Sequence, residues 1–361
     1  MRAGAVLAID GGNTKSVAVV ADVDGSFLGE AVAGCGDIYG AVSQEDALAA
    51  VASAARSALD LAGVGANQVS ATVASLAGAD WPEDFALYET ELRQRVGLVG
   101  RLRVLNDGLG PVWLADGSGK GVAVVVGTGS AIGARGPGGK IWHASFWLPL
   151  GAVGALGRQA LDAVYRAALG LGPETRLTER LLTLYGMPDV ESLLHSFTRR
   201  EHPIAAVRVR EAGLVLMDED GAGDEVAHAI IDRYATALTE YVTVAARRVQ
   251  FAEDYPVALT GGLLRHPTAS LATTLAAKIK ANDPRSRPSC TTVAPVVGAL
   301  LESLFLSLGE VPDQIRQRVL AEPLLGVIRP LDGTAADEPR VSRVAWPLSA
   351  ERSAMCPVPS A

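Results

Sequence analysis

The stretch Asp10-Gly11-Gly12-Asn13-Thr14-Lys15 stands between two apolar runs, at residues 4–9 and 17–21. Apolar runs that flank a glycine-containing turn predict two buried β-strands joined by a tight hairpin. In such a turn, backbone N–H groups and the Thr14 hydroxyl can approach phosphates, while the carboxylate at the strand end can organise hydrated Mg²⁺. A plain glycine-rich hairpin is the alternative interpretation of this segment taken alone. The predicted phosphate-binding residues here are Gly11, Gly12, Asn13, Thr14 and Lys15, with Asp10 as the magnesium-site acid.

A second glycine turn repeats this arrangement later in the chain. The apolar run at residues 122–126 leads into Gly127-Thr128-Gly129-Ser130, and a further strand is predicted at residues 131–134. Two phosphate-type hairpins in matching positions are more specific than either one. A third pair, Gly261-Gly262, ends a strand predicted at residues 256–259, where absent side chains would let adenine lie against the backbone. A turn that starts a helix is the alternative for this pair.

Asp107 follows a strand predicted at residues 102–105. Open α/β sheets bind ligands at the carboxyl ends of their strands. A carboxylate there can accept the proton of a hydroxyl that attacks the γ-phosphate of ATP. The alternative is that Asp107 caps a helix that begins near Leu109.

The order of predicted elements repeats between the two halves of the chain. The first half reads βββαβαβ, and the second begins again with three strands before helices at about residues 151–168, 174–184 and 224–251. A helix near 270–281, a short strand near 291–293 and a helix at 297–308 follow. This repeat predicts an α/β fold of two similar domains with a nucleotide cleft between them. The expected boundaries are 1–112, 113–296, a closing helix at 297–309 that packs toward the first domain, and a partly helical or poorly ordered tail at 310–361.

Composition limits the classes of function. The 361 residues are 49% hydrophobic and 20% charged with a formal net charge of −8, which indicates a globular protein and argues against nucleic acid as a partner. The first apolar run is too short for a signal peptide or a membrane span, so a cytoplasmic location without a membrane partner is expected. Cys35, Cys290 and Cys356 form no CxxC pair.

Other glycine-rich and histidine patterns do not match known site spacings. Gly117-Ser118-Gly119-Lys120 resembles part of a P-loop, but Leu114 and Gly121 break the GxxxxGK[ST] spacing. We therefore interpret it as a surface turn. The five histidines lack paired-ligand spacing, so no metal–histidine site is predicted.

Five segments together resemble, in order and spacing, the N-acetylglucosamine kinases and the related BadF/BadG/BcrA/BcrD ATPase family. They are Asp10–Lys15, Leu76-Ala77-Gly78-Ala79-Asp80, Asn106-Asp107, Gly127–Ser130 and Gly261-Gly262-Leu263-Leu264-Arg265. The likeness covers about residues 4–308. It implies the actin-like (ribonuclease H-like) fold of sugar kinases and Hsp70, with ATP and Mg²⁺ bound between domains that close on substrate.

The resemblance also implies roles for single residues. Asp10 matches the first phosphate-site acid, Thr14 and Thr128 the phosphate-turn hydroxyls, and Asp107 the general base. Gly261 and Gly262 match the adenosine-site glycines. The resemblance implies that the substrate-binding residues are Asp37, Asp80, Asp107, Pro149, Leu150 and Gly151.

Two departures from the family pattern lie near the expected substrate. Pro149 and Leu150 stand where the family commonly has an acidic pair, and Asp37 stands where it often has Asn. The alternative for Asp37 is that it caps the following turn and binds no substrate. We therefore expect an ATP-dependent carbohydrate kinase whose acceptor is an amino sugar, or a related sugar or aminocyclitol that has diverged from N-acetylglucosamine. One alternative is an ATPase that drives a conformational change in a partner protein, like the family's activators of radical dehydratases. Those activators hold an iron–sulfur cluster through Cys ligands, and the three cysteines here do not supply that pattern. A catalytically weak sugar sensor is another alternative. The oligomeric state is left open, with a homodimer among the options.

Overall fold

The first sheet of this computed structural model, which describes residues 4–321, is built around a strand buried on both faces. Its strands are β1 Ala5–Gly11, β2 Ser16–Asp22, β3 Phe27–Ala33, β4 Val69–Leu76 and β5 Arg101–Asn106. They lie in the order β3-β2-β1-β4-β5, with β1 antiparallel to β2 and parallel to β4. The helices between them are α1 Gln44–Ala62 and α2 Pro82–Val96.

The second sheet repeats this topology. Its strands are β6 Gly121–Val126, β7 Ser130–Arg135, β8 Ile141–His143, β9 Tyr255–Thr260 and β10 Ser286–Cys290, in the order β10-β9-β6-β7-β8. Here β6 is antiparallel to β7 and parallel to β9, as β1 is to its neighbours. The predicted α/β fold with two similar sheet-and-helix units is therefore confirmed. The domain boundaries proposed at 112/113 and 296/297 stay predictions.

The remaining helices surround the second sheet or follow it. They are α3 Val153–Ala168, α4 Leu177–Tyr185, α5 Val190–Thr198, α6 Val209–Gly221, α7 Glu225–Arg248, α8 Ser270–Asn282, α9 Pro295–Leu308 and α10 Asp313–Ala321. The sequence did not predict α5 or α6. None of the helices within residues 4–321 is both long enough and apolar enough to cross a membrane.

The continuous apolar character of β1 follows from its packing. Leu7 and Ile9 lie in a core with α1, while Val6 and Ala8 on the other face contact a core that includes Leu300 of α9. A strand covered on both faces has no solvent side and so shows no polar alternation. Helix α9 follows the second sheet in the chain but covers the first, so the chain crosses between the two units twice.

The strand predicted near residues 291–293 is wrong in position, because the structure forms it at Ser286–Cys290. The Thr-Thr-Val segment has the higher strand propensity, but β10 contains Pro288. Proline is tolerated here because β10 lies at the edge of the sheet and, among the strands of residues 4–321, pairs only with β9. In the tail, residues 313–321 form α10, and the predictions for 322–361, with Cys356, lie outside the described residues.

One buried carboxylate joins the two units. Glu302 of α9 has no exposed surface. It accepts hydrogen bonds from Arg103 of β5 at 2.8 Å and from Arg135 of β7 at 2.6 Å. The indole of Trp113, in the connection between the sheets, also donates to it over 3.1 Å. A single side chain thus ties both sheets and their connection together.

Candidate active site

The two glycine hairpins predicted to bind phosphate meet across the cleft. The Thr14 hydroxyl donates to the Thr128 hydroxyl over 3.1 Å. Gly129 approaches Asn13 so closely that a Cβ on Gly129 would stand 3.2 Å from the side-chain Nδ2 atom of Asn13. The two turns, each at the end of a central strand, are therefore in direct contact, and their role as phosphate-binding turns stays a prediction.

Gly261 and Gly262 lie beside the second hairpin. Gly261 has φ +104°, and a Cβ on it would come within 2.4 Å of the Val126 carbonyl oxygen. A Cβ on Gly127 would stand 3.5 Å from the Gly262 nitrogen. Only glycine satisfies both the backbone angle and the spacing at Gly261. The close approach to Val126 explains why Gly261 is a glycine, and the assignment of Gly261 and Gly262 to adenosine stays a prediction.

Asp10 and Lys15 in the first hairpin both have shifted pKa values. Burial raises the pKa of Asp10 to about 7, and the nearby positive charge of Lys15 only partly offsets this effect. The pKa of Lys15 is lowered, first by desolvation in the cleft, with Asp10 acting in the opposite direction and Arg265 adding to the decrease. Lys15 and Arg265, two cationic side chains, therefore lie near each other beside the first hairpin.

Arg265 ends one of the five sequence motifs, but no role was predicted for it from the sequence. Its guanidinium donates to the carbonyls of Gly261 at 3.4 Å and Thr292 at 3.2 Å, and burial lowers its pKa. Its position directly after the Gly261-Gly262 turn was the signal available in the sequence. An arginine placed there can contact phosphate oxygens.

Asp107 lies at the end of β5 as predicted, and the helix-cap alternative is wrong. The 3₁₀ helix that follows spans Gly110–Leu114, and within the described residues no side chain caps its start. Burial raises the pKa of Asp107 well above its usual range, and the charges of Asp10, Asp80 and Asp37 raise it further. Asp10 is thus close enough to Asp107 for its negative charge to disfavour ionisation of Asp107.

Asp80 and Asn106 form the wall next to Asp107. The Asn106 side-chain amide donates to Asp80 over 2.8 Å, and its oxygen accepts the Gly108 N–H at 3.0 Å. Burial raises the pKa of Asp80, partly offset by the Ser145 hydroxyl and by His143. Asp80 therefore links the predicted base to the loop that follows β8.

Asp37 is buried and caps its own turn. Its carboxylate accepts the Tyr39 N–H over 2.9 Å. Burial raises its pKa, the Tyr39 hydrogen bond lowers it, and Asp80 and Asp84 raise it. The loop is fixed by Tyr88, whose hydroxyl donates to the Gly36 carbonyl at 2.7 Å. The Asp37 carboxylate thus accepts backbone hydrogen bonds from both Tyr39 and Gly40, as a residue that caps its own turn does.

Pro149, Leu150 and Gly151 form the turn before α3. Pro149 is exposed, Leu150 packs against the core of the second sheet, and Gly151 has φ +63°. The Gly151 carbonyl accepts hydrogen bonds from Ser130 at 2.9 Å and Tyr234 at 2.7 Å. Ser130 thus connects the second phosphate turn to this segment.

A cavity of about 510 Å³ next to Asp80 was not predicted. Besides Asp80, it is lined by Trp81, Phe85, Ile141, Trp142, His143, Ser145, Phe146 and Trp147. These include three of the chain's five tryptophans, which was the signal available in the sequence. A larger cavity of about 760 Å³ lies around residues 174–188 and Asp224 and contains none of the predicted site residues.

The donor set near Asp10 suits a metal held mainly by water and phosphate. Within residues 4–321, no group of three or more His, Cys, Asp or Glu side chains is placed to hold a metal ion. Mg²⁺ usually keeps several waters and takes one or two carboxylates together with substrate phosphates. A desolvated Asp10 carboxylate beside two hydroxyl-bearing turns fits that pattern.

Comparisons with known proteins identify the family of this chain. A sequence model of the BadF/BadG/BcrA/BcrD ATPase family matches residues 7–303, a range that includes all five motifs. An N-acetyl-D-glucosamine kinase of Dictyostelium discoideum is 26% identical over 314 residues, covering 82% of this chain and 97% of the relative.

Two solved structures share the fold. One, from Chromobacterium violaceum and named as an N-acetylglucosamine kinase, superposes with a TM-score of 0.62 at 23% identity, covering 84% of this chain and all of that one. A glucokinase of the ROK family from Streptomyces griseus, in complex with glucose and AMPPNP, gives a TM-score of 0.53 at 17% identity. The alignment covers 84% of this chain and 99% of the glucokinase.

Proposed function

The chain belongs to the BadF/BadG/BcrA/BcrD ATPase family, and from this we propose that it transfers the γ-phosphate of ATP to a hydroxyl of an amino sugar or a related sugar or aminocyclitol. One observation carries the proposal: the two phosphate-type hairpins meet at Thr14 and Thr128, and Asp10 lies close enough to Asp107 for its charge to raise the pKa of Asp107. An ATP held by both turns would therefore present its γ-phosphate beside a carboxylate.

The proposed reaction is a single phosphoryl transfer. The acceptor hydroxyl oxygen forms a bond to the γ-phosphorus while the Asp107 carboxylate takes the hydroxyl proton. The bond between the γ-phosphorus and the β–γ bridging oxygen breaks, and its electron pair leaves with ADP. Thr14, Thr128 and the turn N–H groups would orient the phosphates, and Lys15 and Arg265 would stabilise their charge.

Mg²⁺, when bound near Asp10 through water, would neutralise phosphate charge. The raised pKa of Asp10 supports this assignment, because a nearby cation stabilises the ionised form that burial of the carboxylate disfavours. Gly261 and Gly262 would accept the adenosine part of ATP on their exposed backbone.

The acceptor side of the cleft favours a substrate with an amine. Asp80 and Asp37 each raise the pKa of Asp107, and Asp80 also raises that of Asp37, so these acids lie close enough for their charges to repel. A ligand ammonium group would relieve that repulsion through charge-assisted hydrogen bonds. Pro149 and Leu150 offer no carboxylate to sugar hydroxyls, so an acceptor that relies on such contacts would bind poorly.

An ADP-release screen tests this function. Purified protein with ATP and Mg²⁺ is assayed against amino sugars, neutral sugars, aminocyclitols and nucleosides, with Asp107→Asn as the matched control. We expect acceptor-dependent ADP release with an amino sugar or aminocyclitol, and a loss of most of that release in the control. Confirmed ATP binding without stimulation by any acceptor class would contradict the proposal and favour a sensor or a partner-driving ATPase.

A further inference from the structure

Three exposed aromatic side chains form a shelf at the mouth of the cleft. The aromatic shelf consists of Trp81, Phe146 and Trp147, whose exposed fractions are 45%, 46% and 70%. The rings of Trp81 and Phe146 are nearly parallel, 14° apart in orientation, with centroids separated by 6.3 Å. Large apolar side chains left in water at a cleft mouth are typical of a ligand-binding surface.

The shelf is continuous with the proposed acceptor site. Asp80 lines the same cavity as the shelf residues. On its other side, Asp80 accepts the hydrogen bond from Asn106, the residue before Asp107. A ligand whose hydroxyl reaches Asp107 can therefore extend past Asp80 onto the aromatic rings.

The shelf is held in place by the backbone around it. Trp81 stands at the start of α2, where its N–H donates to Asp84 over 2.8 Å. Phe146 and Trp147 belong to a 3₁₀ turn, Ser145–Trp147, whose Trp147 carbonyl accepts a hydrogen bond from the Tyr241 hydroxyl. Trp81 and Phe146 come from different sheet units, so a ligand on the shelf would contact both units.

The chemistry of the cavity specifies what it can accept. Among the described residues that line it, there is no Lys or Arg, and most of the surface is aromatic. The Nδ1 atom of His143 is buried and has no hydrogen-bond partner in the described part of the chain. Burial lowers the pKa of His143, so the neutral ring can donate or accept one hydrogen bond.

We propose that the acceptor carries a second ring beyond the phosphorylated one, and that this ring lies flat on the aromatic shelf. The inference rests on the proposed function, since it takes the first ring to be the one that reaches Asp107. A volume of about 510 Å³ falls within the range of pockets that hold ligands larger than one sugar ring. Either a second sugar ring or an aryl group presents the flat apolar face that stacks on aromatic side chains.

Calorimetric binding without ATP tests the shelf. The probes are methyl β-glucosaminide, phenyl β-glucosaminide and the β-1,4-linked disaccharide of glucosamine. We expect at least one ring-bearing probe to bind roughly tenfold more tightly than the methyl glycoside. Tighter binding by the phenyl probe would identify an aryl substituent, and tighter binding by the disaccharide a second sugar.

Substitutions in the shelf test whether the tighter binding of ring-bearing probes depends on its aromatic side chains. Trp81→Ala and Phe146→Ala should each reduce the ratio of ring-bearing to methyl affinity to about threefold or less, while the control Leu171→Ala, an exposed leucine outside the cavity, leaves the ratio unchanged. Equal affinity for all three probes, no binding by either ring-bearing probe, or a ratio that survives both variants would overturn the inference. Because no ATP is present, a missing ADP signal in the separate screen would count against the kinase function alone.

Discussion

The hydroxyls of Thr14 and Thr128 are hydrogen-bonded at 3.1 Å although 114 residues separate them in the chain. Each belongs to the turn after the first strand of its sheet, so the contact joins equivalent points of two repeated units. The repetition explains why two short glycine motifs, each ambiguous alone, converge on one site.

Lys15→Ala should weaken ATP binding, whereas Lys120→Ala should not. Lys15 lies in the first phosphate turn next to Asp10, while Lys120 is exposed in the turn that only resembles a P-loop fragment. Loss of a hydrogen bond to a charged group costs about 1.5–3 kcal/mol, or roughly 10–150-fold in Kd. Fluorescence titration with a labelled ATP analogue measures it. Similar losses in both variants would show that the turn is not a specific phosphate site.

The sequence predicted those elements whose residue pattern is explained within the element itself, and it missed those whose residues are required by contacts with distant parts of the chain. The β1 strand and its turn were predictable because burial on both faces leaves a continuous apolar run. Helix α6 was not, because Gly213 interrupts its helical pattern. That glycine is required by tertiary packing, since a Cβ on it would come within 2.2 Å of the Val153 carbonyl of α3.

For the site, motifs found what lies on one turn and missed what assembles from several segments. The resemblance predicted from five motifs is confirmed by the family match. The aromatic cavity was missed, because Trp81 and Phe146 belong to different sheet units and have no shared spacing. Glu302 was missed for the same reason: a charged residue inside an apolar helix gives no hint of which arginines will meet it.

Asp80→Asn should shift the acidic limb of the kcat/KM profile to lower pH. The proposed base acts when Asp107 is ionised, and its raised pKa places the loss of activity at a higher pH than for an ordinary aspartate. The negative charge of Asp80 contributes to that increase, so a neutral amide at residue 80 should lower the apparent pKa. The measurement is kcat/KM from about pH 5 to 9.

The matched control for this shift is Asp60→Asn, an exposed carboxylate on α1. It should leave the limb in place. A limb that does not move in Asp80→Asn, or moves to higher pH, would contradict the assignment of the titrating group to Asp107.

N-acetylglucosamine should be a poorer substrate than its free-amine analogue. Pro149 and Leu150 remove two carboxylates that could bind sugar hydroxyls, at about 1–3 kcal/mol each, or roughly 5–150-fold in specificity. Asp37 and Asp80 add charge that an ammonium group can use. The comparison is kcat/KM for N-acetylglucosamine against glucosamine. A value above about 10⁴ M⁻¹s⁻¹ for N-acetylglucosamine, with no preference for the free amine, would refute the expectation.

Glu302→Ala should lower the free energy of unfolding by about 3–5 kcal/mol, because it leaves Arg135 largely buried without its carboxylate. Urea denaturation followed by circular dichroism measures the change. Glu310→Ala, at an exposed glutamate just after α9, is the control and should change stability by less than about 0.5 kcal/mol. Equal effects of the two substitutions would mean that the Glu302 contacts add nothing to stability.

The most direct test of the whole account is the turnover of Asp107→Asn with the best acceptor from the ADP-release screen. The substitution keeps the size of the side chain and removes its ability to take a proton. We predict that kcat falls by about 10²–10⁴, the usual contribution of a positioned general base, while ATP affinity and the circular dichroism spectrum stay as in the wild type. A kcat equal to that of the wild type would contradict the account, because Asp107 would then not be the base.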